Sequence, residues 1–111
     1  MARTCETLQI GLPVRNGEAF LAEALRSILD QTFGDFQLLI SDNASTDRTG
    51  EICRHFAGLD PRVRYSRNPV DLGAAANFNL VFARSTSRFF KWAAHDDVLE
   101  PRFLERCLEV L

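Results

Sequence analysis

The chain has 111 residues, 46% of them apolar and 25% charged, the balance of a single globular domain, which excludes wholesale disorder. Thirteen Lys and Arg against fifteen Asp and Glu leave a net charge of −2, which argues against a nucleic-acid binder or a polybasic membrane-surface segment. A binder of phosphate-rich small molecules stays open, because such sites use backbone amides and a metal rather than bulk charge.

In chain order, residues 7–12 (TLQIGL) read as a first strand, which Pro13 is expected to end before an Asn16-Gly17 turn. Leu21, Ala24, Leu25, Ile28 and Leu29 then form one helical stripe, with Glu18, Glu23, Arg26 and Asp30 on the polar face. Residues 36–41 read as the second strand. The second helix is expected to begin near Ser45, capped by Ser45 or Thr46 with Asp47 at the positive dipole end, and Gly58 can end it. Its apolar side is Ile52, Cys53 and Phe56. A third strand follows at 62–66, then a helix over 73–84 with Phe78, Val81 and Phe82 on one side, then a fourth strand at 88–93. Pro101 suits the first turn of a last helix carrying Phe103, Leu104, Cys107, Leu108 and Leu111. No stop signal follows, so the chain is expected to be the N-terminal part of a longer protein.

This alternation predicts an α/β fold, a mainly parallel sheet with helices on both faces and ligands beyond the carboxyl ends of the strands. No run of about 18 apolar residues occurs, so no transmembrane segment is expected, and the first twelve residues lack an apolar stretch of secretory-signal length. Cys5, Cys53 and Cys107 are odd in number and form no CxxC, so they read as ordinary buried or half-buried thiols in a reducing compartment.

Four segments after the strands could carry chemistry. Pro13 to Glu18 reads equally as a plain strand-to-helix loop. In Ser41 to Asp47, capping explains Ser45 and Asp47 but not Asp42, whose carboxylate could accept from a nucleobase or a ribose hydroxyl. Arg67 to Gly73 leads into the small residues Ala74, Ala75 and Ala76, which suit either close helix packing or a close ligand. Neither a P-loop nor a GxGxxG occurs. Asp96 and Asp97 end the fourth strand, and two adjacent carboxylates there suit Mg²⁺ or Mn²⁺ shared with substrate phosphates, or else solvate the next loop. His95 reads as a packing or supporting residue.

Together these segments resemble the N-terminal half of family-2 glycosyltransferases, from about Leu8 to Leu111. The carrying stretches are Ile10 to Asn16, Leu25 to Thr32 and Ile40 to Asp47, then Asn68, Gly73 and Asn79, then His95-Asp96-Asp97. The resemblance implies the GT-A (nucleotide-diphospho-sugar transferase) fold, with residues 1–111 as the nucleotide-sugar-binding part of one truncated domain. It implies that Pro13, Arg15, Asn16 and Glu18 line the base and ribose pocket, that Asp42 meets the base, that Asn79 belongs to the nucleotide site, and that Asp96 and Asp97 hold the metal. It further implies inverting transfer of a sugar to a glycan or lipid-linked acceptor. Such a protein would be cytoplasmic, at the inner face of the membrane in its full-length form, and self-association through a bare sheet edge is open. The catalytic base is expected in the missing half, leaving this chain inactive alone. The sequence departs from the family pattern at Ala94, where an acid is usual, at Arg15, where an aromatic is common, and at Phe78, where Arg often contacts phosphate. A nucleotidyltransferase would want a Gly-rich loop after the first strand, and a non-catalytic receiver-like module would want acids there; both are lacking.

Overall fold

Eight elements alternate along residues 8–110, the residues described by the computed structural model. They are β1 (Leu8–Val14), α1 (Leu21–Leu29), β2 (Phe36–Asp42), α2 (Thr49–Leu59), β3 (Val63–Arg67), α3 (Ala74–Ala83), β4 (Phe89–Trp92) and α4 (Phe103–Glu109). The strands form one sheet in the order β3-β2-β1-β4, and each neighbouring pair is parallel. The chain thus steps outward from β1 through β2 to β3, then returns to place β4 on the far side of β1. The reversal makes the β1/β4 boundary the topological switch point, where an open α/β sheet leaves a crevice.

Period-two alternation assigns the two faces of the sheet. Ile10, Leu12, Phe36, Leu38 and Ile40 join Leu21, Leu25, Ile28, Cys53, Phe56 and Leu104 in one buried core on the α1/α2 face. On the other face, a Cβ added to Gly11 would lie 2.5 Å from both Val81 Cγ1 and the Phe90 ring. Gly11 is therefore what lets α3 pack directly on the central strand. α4 is tied to the end of α1, since Gln31 Nε2 donates to the Glu100 carbonyl (2.7 Å) and its Oε1 accepts from Leu104 N (2.9 Å).

The parallel sheet and all eight elements match expectation; the differences are local. Pro13 does not end β1: it pairs in register with Ser41, and the strand runs on to Val14. Ala93 N donates to the Gly11 carbonyl and Asn43 N to the Val14 carbonyl, so Pro13 faces the β4 side just past the point where β4 stops. No ladder hydrogen bond is required there, so the missing N–H costs nothing. α2 begins at Thr49 rather than near Ser45, because Ser45 and Thr46 are bonded to the β1–α1 loop instead. On α3 only Val81 of the expected apolar trio is buried, while Phe78 and Phe82 are exposed.

Among the thiols, Cys53 is buried and Cys107 is exposed, against the expectation of a half-buried residue; α4 is only seven residues long and buries Leu104 instead. Cys5 and Leu111 lie outside the described residues. Burial, helped by the nearby Asp42 carboxylate, pushes the Cys53 thiol up to about 12. Iodoacetamide at mildly alkaline pH is therefore expected to label Cys107 and spare Cys53, read by peptide mass spectrometry. Equal labelling of both thiols would contradict the sealed packing of α2.

Candidate functional site

The β1/β4 crevice opens into a cleft of 620 Å³ at the carboxyl ends of the strands. Its walls are Pro13 to Arg15 from the end of β1, Asn43, Asp71, the start of α3 from Gly73 to Phe78, and Trp92 to Asp97 from the end of β4.

The β1–α1 loop forms one wall and is stapled to the start of α2. Asn16 N donates to Ser45 Oγ (2.9 Å), Gly17 N to Thr49 Oγ1 (2.9 Å) and Glu18 N to Asp47 Oδ2 (3.2 Å). In return Asn16 Oδ1 accepts from Thr46 N (2.8 Å) and Glu18 Oε1 from Arg48 N (3.0 Å). Asn16 holds a left-handed φ of 52°, which Asn tolerates. The Arg15 guanidinium reaches the carbonyls of Asn43 (2.7 Å) and Ala44 (2.8 Å) and lies 3.4 Å from the Asp71 carboxylate.

The second wall rests on three buried amides. Asn43 Oδ1 accepts from Leu72 N (2.9 Å) and from Asn68 Nδ2 (3.0 Å), and its Nδ2 donates to Asp71 Oδ1 (2.7 Å). Asn68 Nδ2 also donates to Asn77 Oδ1 (3.0 Å), which accepts from Ser41 Oγ (2.7 Å) as well. Asn77 Nδ2 completes the set by donating to the Ser41 carbonyl (3.0 Å). This network pins the loop before α3, and the first turn of α3 itself, to the end of β2. Gly73 precedes the helix at φ 88°, a conformation that favours glycine.

The end of β4 supplies the acidic wall. Asp96 and Asp97 are exposed, and neither carboxylate has a hydrogen bond or ion pair among the described residues. Phe78 and Trp92, with ring centroids 5.0 Å apart, form an aromatic wall beside them. Among the described residues no group of three His, Cys, Asp or Glu gathers to hold a metal. The free pair suits a hard cation that takes few protein ligands and completes its shell with substrate oxygens and water, as Mg²⁺ does.

Of the residues expected at the site, Pro13, Arg15, Asp96 and Asp97 line this cleft, whereas Asn16, Glu18, Asp42 and Asn79 do not. Asn16 and Glu18 engage their side chains in the α2 staple. Asp42 lies on the α1/α2 side of the sheet, fully buried at 0% exposure. Its carboxylate accepts from Ser45 N (2.9 Å), Tyr65 Oη (2.7 Å) and Arg67 Nη1 (3.3 Å). Burial and the bond to Asp42 push the Tyr65 hydroxyl up to about 12. Asn79 is exposed on the outer side of α3, and Asn77 is the buried amide. Sequence reading missed Asn43 and Asn77. Strand alternation from Ser41 points to the first, and the i, i+4 relation to Val81 points to the second.

A model of the family described as "Glycosyl transferase family 2" matches residues 9–111. Among curated proteins, the chain is 29% identical over 100 residues to "Glycosyltransferase GlyG" of Streptococcus pneumoniae, covering 90% of this chain and 33% of the relative. It is 30% identical over 101 residues to "Glycosyltransferase GlyA" of the same organism, covering 90% of this chain and 14% of the relative. The chain therefore spans a third or less of these relatives. Among solved structures, S. aureus TarS 1-349 in complex with UDP-GlcNAc superposes with a TM-score of 0.85 at 21% identity, covering 93% of this chain and 30% of that one. The mannosyltransferase PcManGT from Pyrobaculum calidifontis, in complex with GDP-Man and Mn²⁺, does so with a TM-score of 0.79 at 20% identity, covering 88% and 30%.

Proposed function

This chain belongs to glycosyl transferase family 2 and has the GT-A fold, and from that premise we propose that its cleft binds a nucleoside-diphosphate sugar together with Mg²⁺ or Mn²⁺. The observation that carries the reading is the pair of carboxylates, Asp96 and Asp97, unpartnered among the described residues and placed at the topological switch point. Two adjacent carboxylates repel each other, and a cation at the cleft edge would offset that repulsion. The ligands of the TarS and PcManGT structures support the same class of donor.

In this reading Pro13, Arg15 and Asn43 flank the nucleoside, and the start of α3 with Phe78 and Trp92 bounds the rest of the donor. Asn16, Glu18, Asp42 and the Asn68–Asn77 pair act behind the wall by fixing the loops. We assign no nucleotide contact to Asn79. A cation held by Asp96 and Asp97 would offset the negative charge that builds on the departing nucleoside diphosphate. Inverting transfer then needs a base to take the proton of an acceptor hydroxyl on a glycan or lipid-linked sugar. No other carboxylate in the cleft is free to act as that base, since Asp71 is engaged by Asn43 and Arg15. We therefore place the base and the acceptor site in the part of the domain that the longer relatives have in addition. An odd number of cysteines with no CxxC supports a reducing, cytoplasmic setting for this proposal. No helix among the described residues is long and apolar enough to cross a membrane.

Trp92, the only tryptophan, lines the cleft and reports on it. Titration with UDP and with GDP is expected to give a saturable change in its fluorescence that requires Mn²⁺. A flat response from a chain whose circular dichroism is that of a folded α/β protein would overturn the reading.

A further inference from the structure

Gly17, in the β1–α1 loop, packs against His95 of the acidic turn, and His95 lines the cleft. A Cβ added to Gly17 would lie 2.8 Å from His95 Nδ1 and 3.1 Å from its Cγ, closer than real side chains pack, with Val14 Cγ2 at 2.9 Å. Gly17 is not in the left-handed region, so the glycine is required by this close approach rather than by its φ. His95 Nδ1 is buried with no hydrogen-bond partner, the only side-chain nitrogen or oxygen in that state among the described residues. Among the described residues no hydrogen bond holds the ring, and its close packing against Gly17 limits where it can lie.

The two sides of this contact differ in stiffness. Gly17 donates to Thr49 Oγ1 (2.9 Å), its carbonyl accepts from Leu21 N (3.1 Å), and its neighbours Asn16 and Glu18 are bonded to the start of α2. The acidic turn is anchored at its flanks by Ala93 N to the Gly11 carbonyl (2.8 Å) and Leu99 N to Ser27 Oγ (3.0 Å), but between them, among the described residues, it closes with a long bond from Asp97 N to the Ala94 carbonyl (3.4 Å). A side chain at position 17 would therefore displace His95 and, one residue on, Asp96.

We propose that Gly17 is a positioning residue for the acidic motif: its bare backbone seats the His95 ring and so sets Asp96 and Asp97 against the nucleoside wall. The proposal rests on the donor-and-cation reading of the cleft and adds that, past the end of the β1/β4 ladder, this contact helps to register its two halves.

The test is a double-mutant cycle of Gly17→Ala, His95→Ala and both together. It is read by Mn²⁺-dependent UDP affinity through Trp92 and by the backbone amide resonances of Asp96 and Asp97. Gly17→Ala is expected to weaken affinity about tenfold in the native background and less than about threefold once His95 is Ala, a coupling in the range of residues in contact. The amides of Asp96 and Asp97 move with the first change and stay close to those of His95→Ala in the double variant. Equal effects in both backgrounds, or none, would overturn the proposal. If Gly17→Ala does not fold, His95→Ala must restore folding for the proposal to stand. Should native protein fail to bind UDP with Mn²⁺, the donor reading falls, and the amide resonances alone decide whether Gly17 positions the turn.

Discussion

Asp42→Ala is expected to lower the unfolding free energy by about 3 kcal/mol, measured by urea denaturation, because it removes the buried half of an ion pair and strands its donors. The carboxylate is 0% exposed and gathers Ser45 N, Tyr65 Oη and Arg67 Nη1 beneath the start of α2. Arg67 is partly exposed and can hydrate, which keeps the loss near the lower end for buried pairs. Ser45 N is inside and loses its acceptor. Asp42→Asn keeps an acceptor for that amide but turns an N–H toward Arg67, so its loss falls between the two. Tyr65, the only tyrosine, gives a second readout. In Asp42→Ala its titration comes down from about 12 toward the ordinary value of 10.0, in part only, because burial is the larger cause of the rise. A stability change below about 1 kcal/mol, with an unmoved tyrosinate titration, would show that water replaces the carboxylate at no cost.

Asp96→Ala is expected to act in the opposite way, sparing the fold and abolishing metal dependence. The residue is exposed and bonded to nothing among the described residues, so its removal leaves stability within about 0.5 kcal/mol. It halves the free carboxylates that a cation could use. Losing a mere supporting partner of a metal site costs roughly 10- to 100-fold, so loss of a ligand should weaken Mn²⁺-dependent UDP binding by at least about 100-fold. Asp97→Ala, made in parallel, ranks the two carboxylates. Unchanged Mn²⁺ dependence in both variants would remove the cation from this cleft.

The parallel sheet and its helices were legible because each rests on a local pattern. The stripe from Leu21 to Ile28 is buried as its spacing requires, and the acidic pair lies at the cleft where a strand end should put it. What the sequence did not show is the direction in which side chains face. Asp42 stands out by its charge, yet strand alternation turns it beneath the sheet and Asn43 toward the cleft. Asn79 matches the family pattern, yet the phase of α3 is set by Val81 meeting Gly11, which brings Asn77 inward and leaves Phe78 and Phe82 out. That phase depends on a glycine some seventy residues earlier, which the apolar spacing of Phe78, Val81 and Phe82 does not reveal.

The order of the strands also has a bearing on what a bound ligand would stabilise. Leu8 pairs with Phe36 on one side of β1 and with Phe89 on the other. Loop closure costs more entropy over the longer span. The wall built from the β1 and β2 ends and the start of α2 therefore rests on pairings closer in sequence than those of the acidic wall, which needs β4 in place. A ligand that touches both walls would therefore draw on the stability of β4 docking and, by mass action, reinforce the most distant pairing in the sheet.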